Sequence, residues 1–177
     1  GVSNNLNNLA NLNYLLGQYE QAKSLYEECL ALHRELDDRR SMAILLNNLG
    51  MVILHQGNYQ QAQAMLADSL KLYKELNDSL GMADCVDSLA QLACFQEQHR
   101  KAVCLFGAAE NLREVTGATM PAHNLAVYEN TVATLRREMD DSVFKATWAE
   151  GRAMTLDQII ACAAELQTGD EQSQFIS

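Results

Sequence analysis

Six asparagines stand among the eleven residues from Ser3 to Asn13, and an amide side chain both donates and accepts hydrogen bonds. Asn4, Asn7, Asn8 and Asn11 recur at the spacing of three or four that makes neighbours on a helix surface. Such a row can hydrogen-bond the backbone of an extended peptide whatever that peptide's sequence. Leu6, Leu9 and Leu12 recur every third residue through the same stretch, so it reads as a helix despite the poor helix propensity of asparagine.

Other residues capable of chemistry do not assemble into a pattern. His33, His55, His99 and His123 show no metal-ligand spacing, so no metal site is expected. Cys29, Cys85, Cys94, Cys104 and Cys162 form no CxxC pair and are odd in number, which argues against both a zinc site and a closed disulfide framework. They read as small buried hydrophobes in a reducing cytoplasm. Trp148, Glu150 and Arg152 could suggest proton transfer, but no nucleophile, phosphate loop or second carboxylate accompanies them. Trp148 is expected to anchor a helical cap, with Glu150 and Arg152 as its polar latch. No enzyme activity and no cofactor are expected.

Composition narrows the classes further. The chain has 177 residues, 48% hydrophobic and 20% charged, with a single proline, which describes a helical globular chain. A formal net charge of −10 opposes the phosphate contacts that dominate nucleic-acid affinity, so direct contact with DNA is not expected. No apolar run approaches the roughly 20 residues that span a bilayer, and no secretory signal is visible. The chain opens on Gly1, as a piece of a longer protein would.

The elements that position the asparagines emerge on sliding the sequence by forty residues. "LNNLANLNYLLGQYEQA" (Leu6 to Ala22) then falls on "LNNLGMVILHQGNYQQA" (Leu46 to Ala62) without a gap, and "VDSLAQLACFQEQHRKA" (Val86 to Ala102) follows. The register holds at Leu9, Leu49 and Leu89, at Ala10, Gly50 and Ala90, and at Ala22, Ala62 and Ala102. It continues through Tyr26, Leu66 and Phe106, and through the small Cys29, Ser69 and Ala109. Large apolar residues fill the space between two antiparallel helices, while small ones let the backbones approach. Gly17 and Gly57 mark the turn inside a hairpin, and "ELDDRRSMA" and "ELNDSLGMA" are connectors whose Asp and Ser can cap the next helix.

This pattern resembles the tetratricopeptide repeat, whose small residues and large-apolar/Gly/Tyr/Ala spacing are matched at these positions. The third unit is degenerate, with Glu97 and His99 in place of Gly and Tyr. The resemblance implies an all-α, right-handed superhelix of antiparallel hairpins, in about three 40-residue repeats over residues 3–38, 42–78 and 82–117. Residues 118–167 are expected to form a C-terminal helical cap, with helices entered near Thr119 and Pro121, near Asp141 and at Thr155, and 168–177 a flexible tail. The last start is the best marked, because Thr155 and Gln158 fit a capping box.

A second resemblance covers Leu105 to Glu165, and "FKATWAEGRAMTLDQ" (Phe144 to Gln158) is its most specific part. It is similar to the C-terminal end of bacterial STAND-type regulators, in which a nucleotide-switched ATPase precedes a repeat-rich sensor and is often joined to a LuxR-type DNA-binding domain. The resemblance implies a cytoplasmic sensor region of such a regulator.

In the repeat family the asparagine stripe lines the concave face, so the resemblance implies a partner-binding groove. It would comprise Asn7, Asn8 and Asn11 in the first hairpin, and Asn47, Asn48, Met51 and His55 in the second. Asp84, Asp87 and Gln91 would continue it in the third, where the two carboxylates favour a basic or neutral ligand. A protein or extended peptide is the expected occupant. The alternative is a small-molecule inducer held in the groove or at the junction with the cap. Self-association through the N-terminal end is also expected, since the first hairpin would expose an apolar face there.

Overall fold

The computed structural model describes residues 2–120 and 122–166; Pro121 and the expected tail over 168–177 lie outside the described residues. Helices account for the fold: α1 (Val2–Leu15), α2 (Tyr19–Glu35), α3 (Arg39–His55), α4 (Tyr59–Glu75), α5 (Ser79–Phe95), α6 (His99–Thr116), α7 (Ala122–Glu138), α8 (Asp141–Arg152) and α9 (Leu156–Ala164). Among the described residues there is no strand, and the fold is all-α. The chain divides into two compact units, Gly1–Asn77 and Asp78–Ser177.

A turn of constant geometry punctuates the first six helices. Gly17, Asp37, Gly57, Asn77, Glu97 and Gly117 stand twenty residues apart, and all take positive φ, from 51° to 82°. At each the helix ends in left-handed backbone, and the following amide reaches back to an orphan carbonyl, as Gln18 N does to Asn13 O at 2.8 Å and Gln98 N to Ala93 O at 2.8 Å. Glycine adopts this conformation freely and Asp or Asn at modest cost. Glu97 does so without that help, which is where the third repeat departs from the pattern.

Helices α3 and α5 start at Arg39 and Ser79, three residues ahead of the expected 42 and 82. The connector aspartates are the reason: Asp38 accepts from Ser41 N at 3.1 Å and Asp78 from Gly81 N at 2.9 Å, so the cap lies earlier than the apolar pattern.

In the first unit α1 packs on α2, α2 on α3, and α3 on α4. Ala10, Ala22 and Ala62 are fully buried, and Tyr26 and Leu66 fill the space beside them. In both hairpins a side chain of the second helix donates to a backbone carbonyl of the first, 26 residues earlier. The Cys29 thiol donates to Ser3 O at 3.6 Å, and the Ser69 hydroxyl donates to Ala43 O at 2.8 Å. The expected burial of Leu9 against the partner helix is not what is found. Leu9 is 48% exposed, with Leu12, Leu15 and Leu16 exposed beside it, whereas Leu49 and Val52, forty residues on, are buried. Helix α3 packs substantially against two neighbours and α1 against one.

In the second unit α5 and α6 form the third hairpin, burying Leu89, Ala90, Ala102 and Phe106. Of the helices that follow α6, α8 rather than α7 packs most extensively on it; α7 touches both only lightly. The reason is the close approach that glycine allows. A Cβ added at Gly151 would lie 1.9 Å from Cys104 O, and one at Gly107 would lie 2.4 Å from Trp148 O. Backbone meets backbone at this crossing. Helix α9 begins with the expected capping box: Gln158 N donates to Thr155 Oγ1 at 3.3 Å and Thr155 N to Gln158 Oε1 at 2.8 Å.

The contrast between glycines is testable by urea denaturation. Gly151→Ala must separate α6 from α8 and is expected to cost about 3 kcal/mol, at the upper end of overpacking effects. Gly50→Ala meets the Leu66 side chain at 2.9 Å and Ala62 O no closer than 3.4 Å, and Ala10 and Ala90 hold the equivalent places. Its cost is expected to stay within about 1 kcal/mol, offset by the better helix propensity of alanine.

Candidate functional site

In the first unit the asparagines lie on α1 and α3, the first helix of each hairpin. Asn8 is exposed; Asn7, Asn11, Asn47 and Asn48 are half-buried. The Oδ1 atoms of Asn7 and Asn47 are both buried with no hydrogen-bond partner, forty residues apart on equivalent turns. An unpaired buried carbonyl oxygen loses its hydration without compensation, a cost of about 1–3 kcal/mol, so a donor that reaches it gains that back. Asn11 is already engaged, accepting from the Tyr26 hydroxyl on α2. Met51 is buried in the helix packing rather than presented on a surface.

His55 also turns inward. Its ring stacks on Tyr19 at 5.2 Å between centroids with 5° between planes, and Nε2 lies 3.0 Å from the Tyr14 hydroxyl. Burial pulls its pKa below the ordinary histidine value, so the ring is neutral near pH 7. His55 thus ties α3 to the α1–α2 turn. Gln56 strengthens the same junction by donating to Glu20 at 2.7 Å.

In the second unit Gln91 and Asp84 are half-buried on α5. Asp87 departs from expectation: it is buried, and both its oxygens accept from Arg113 on α6, Nη2 reaching Oδ1 at 3.3 Å. Tyr128 of α7 lies with its ring 5.6 Å from the Arg113 guanidinium carbon. Burial pushes the Asp87 carboxyl up to about 6, against the pull of Arg113. A carboxylate so engaged is not offered to a basic ligand. Asp87 stands in the same repeat position as Asn7 and Asn47, and Arg113 in that of His33 and Tyr73. The change from amide to acid therefore coincides with a change to arginine across the hairpin, and that coincidence is the sequence signal of the pair.

The expected latch is partly rearranged. Trp148 donates from Nε1 to Glu110 Oε2 at 2.8 Å, so it does anchor α8 to α6. Arg152 pairs with Glu110 and Glu114 rather than with Glu150, which faces Arg100 at 3.3 Å. All five cysteines are free thiols, and burial pushes Cys94 up to about 12 and Cys104 to about 11, so neither is a ready thiolate. Among the described residues no three His, Cys, Asp or Glu side chains are grouped to hold a metal ion. No described helix is long and apolar enough to cross a membrane.

Comparison with known proteins bears on the same segments. Two family models, each described as tetratricopeptide repeat, match residues 6–36 and 41–114, together well over half of the chain. Proteins named as HTH-type transcriptional regulators, one from Mycobacterium bovis and others from two strains of Mycobacterium tuberculosis, are 40% identical to it over 65 residues. That match takes in 37% of this chain and 7% of each regulator.

The buried ion pair yields a direct test by chemical denaturation at pH 7. Asp87→Asn alone strands a buried guanidinium and is expected to cost about 3 kcal/mol. Asp87→Asn with Arg113→Tyr installs the combination that the second hairpin carries at Asn47 and Tyr73, and is expected to recover more than half of that loss. Additive losses would show that the pair does not act as a unit.

Proposed function

The chain belongs to the tetratricopeptide-repeat family, a non-catalytic interaction fold, and from that premise we propose that it is a protein- or peptide-binding module. It would serve as the cytoplasmic sensor or interaction region of a larger bacterial regulator of the STAND ATPase type. The observation that carries the groove is the pair of buried, unpartnered oxygens of Asn7 and Asn47. Were each amide to turn outward, a bound segment with backbone N–H groups at the repeat spacing would satisfy both, with Asn8 and Asn48 beside them as further amides. In the second unit Asp84 and Gln91 are the corresponding candidates on α5, with Asp87 held back by Arg113.

The regulator reading draws on the named relatives, of whose length this chain matches only a small part. A ligand on the groove could switch an attached output only by binding its two states unequally. The net charge of −10 supports the view that this piece leaves DNA contact to another region.

The apolar face of α1 supports a second interaction. Leu9, Leu12, Leu15 and Leu16 are exposed where the equivalent Leu49 and Val52 are buried. We infer that a second copy of the chain covers this face.

Two measurements test these readings. Asn47→Ala/Asn48→Ala, checked for an unchanged melting temperature, is expected to lose a protein that the parent chain retains from a lysate of the source organism. Identical retention by both would remove the groove reading. Multi-angle light scattering is expected to show a mass that rises with concentration, and Leu12→Glu/Leu16→Glu to hold the chain as a monomer. A parent that stays monomeric at high concentration would overturn the self-association.

A further inference from the structure

Within the second unit, a cavity of about 590 Å³ opens between α6, α8 and α9, lined by Arg100, Lys101, Cys104, Glu150, Met154 and Cys162 among others. Its size falls in the range of roughly 300–1,000 Å³ typical of small-molecule sites. Its inner wall is apolar and sulfur-rich: the Cys104 thiol donates to Met154 Sδ at 3.3 Å, and Ala153 and Cys162 complete the surface. Burial raises both thiols above their ordinary pKa, so the wall carries no charge near neutral pH.

The rim is different. Arg100 and Lys101 stand side by side, in a chain whose net charge is −10. Glu150 faces Arg100 at 3.3 Å, in an exposed and therefore weak pair. Lys101 donates to the Glu165 carbonyl oxygen at 2.6 Å and pairs with no carboxylate among the described residues. The Gln158 side chain, whose oxygen serves the capping box, lines the same cavity. The rim thus carries two cations and one anion above an uncharged, polarisable pocket.

We propose that this cavity binds a small carboxylate with an apolar body, the carboxylate held by Lys101 and Arg100 and the body resting on Cys104, Met154 and Cys162. The ligand displaces Glu150 from Arg100 on entering. Because the site touches α6, α8 and α9 together, its occupant bridges the third hairpin and the two helices that follow α7. The site is separate from the asparagine surface, and its ligand chemistry stands or falls without it.

Isothermal titration of the 177-residue chain with 3-phenylpropanoate, hexanoate and indole-3-acetate, each against its neutral amide, tests this. At least one carboxylate is expected to bind one to one, and about tenfold more tightly than its amide. Lys101→Gln is expected to weaken binding by a similar factor at an unchanged melting temperature, and Glu150→Gln to strengthen it by removing the competing carboxylate. The bound ligand is expected to slow alkylation of Cys104 and Cys162, read by mass spectrometry, and Asn47→Ala/Asn48→Ala to bind it as the parent does. Saturation by none of the three carboxylates, equal binding of acid and amide, an unaffected Lys101→Gln variant, or unprotected Cys104 and Cys162 would each overturn the proposal.

Discussion

Close approach of antiparallel helix backbones is the constraint on which the rest of this molecule depends. It requires small residues at fixed positions, and the chain supplies Ala10, Gly50 and Ala90 on first helices and Ala22, Ala62 and Ala102 on second helices. Once two backbones are that near, their relative rotation is set, and the large residues Tyr26, Leu66 and Phe106 have one place to go. The left-handed residue every twenty positions keeps α2 to α5 at 17 residues each, so the hairpins repeat the same contact. The crossing of α6 and α8 at Gly107 and Gly151 applies the same device to a helix outside the repeats.

Polar groups are then arranged around that geometry. Residues 26 apart face each other across a hairpin, and the three hairpins use this differently. Cys29 and Ser69 donate to backbone carbonyls, while Arg113 reaches Asp87. Where a partner is available the first-helix side chain is consumed by the fold, as with Asp87 and with Asn11 under Tyr26. Where none is, at Asn7 and Asn47, a buried oxygen is left without one. The same helix face is thereby divided between residues that hold the hairpin together and residues whose oxygens are left unpaired.

The two units present different chemistry to their surroundings. The first offers amides on α1 and α3 and an apolar α1 face, a combination suited to polypeptide. The second commits Asp87 to an ion pair and instead opens a sulfur-lined cleft beside a basic rim. Glu110 and Glu114 hold Arg152 and Trp148 to α6, so the packing of α8 rests on the same helix that forms part of the cavity's wall.

The repeat, the helix ends and the capping box at Thr155 were legible in the sequence because they depend on residue type at local spacing: glycine or a short polar residue in the turn, small residues in register, an amide three residues after a threonine. The side-chain partnerships were not, because they join residues far apart in the chain whose meeting depends on how each helix is rotated. His55 had the spacing of a groove residue and became the packing partner of Tyr14 and Tyr19. Arg152 had Glu150 nearby in sequence, but a helix places i and i+2 on different faces, and its partners came from α6. Leu9 had the pattern of a core residue, yet it is exposed on α1, which among the described residues packs substantially on α2 alone. The sequence by itself determined the hairpins and their period, since these follow from local backbone preference. Tertiary structure decided which asparagines remain unpartnered, which acid is neutralised and where a cavity opens, since each is set by what a neighbouring helix brings into contact.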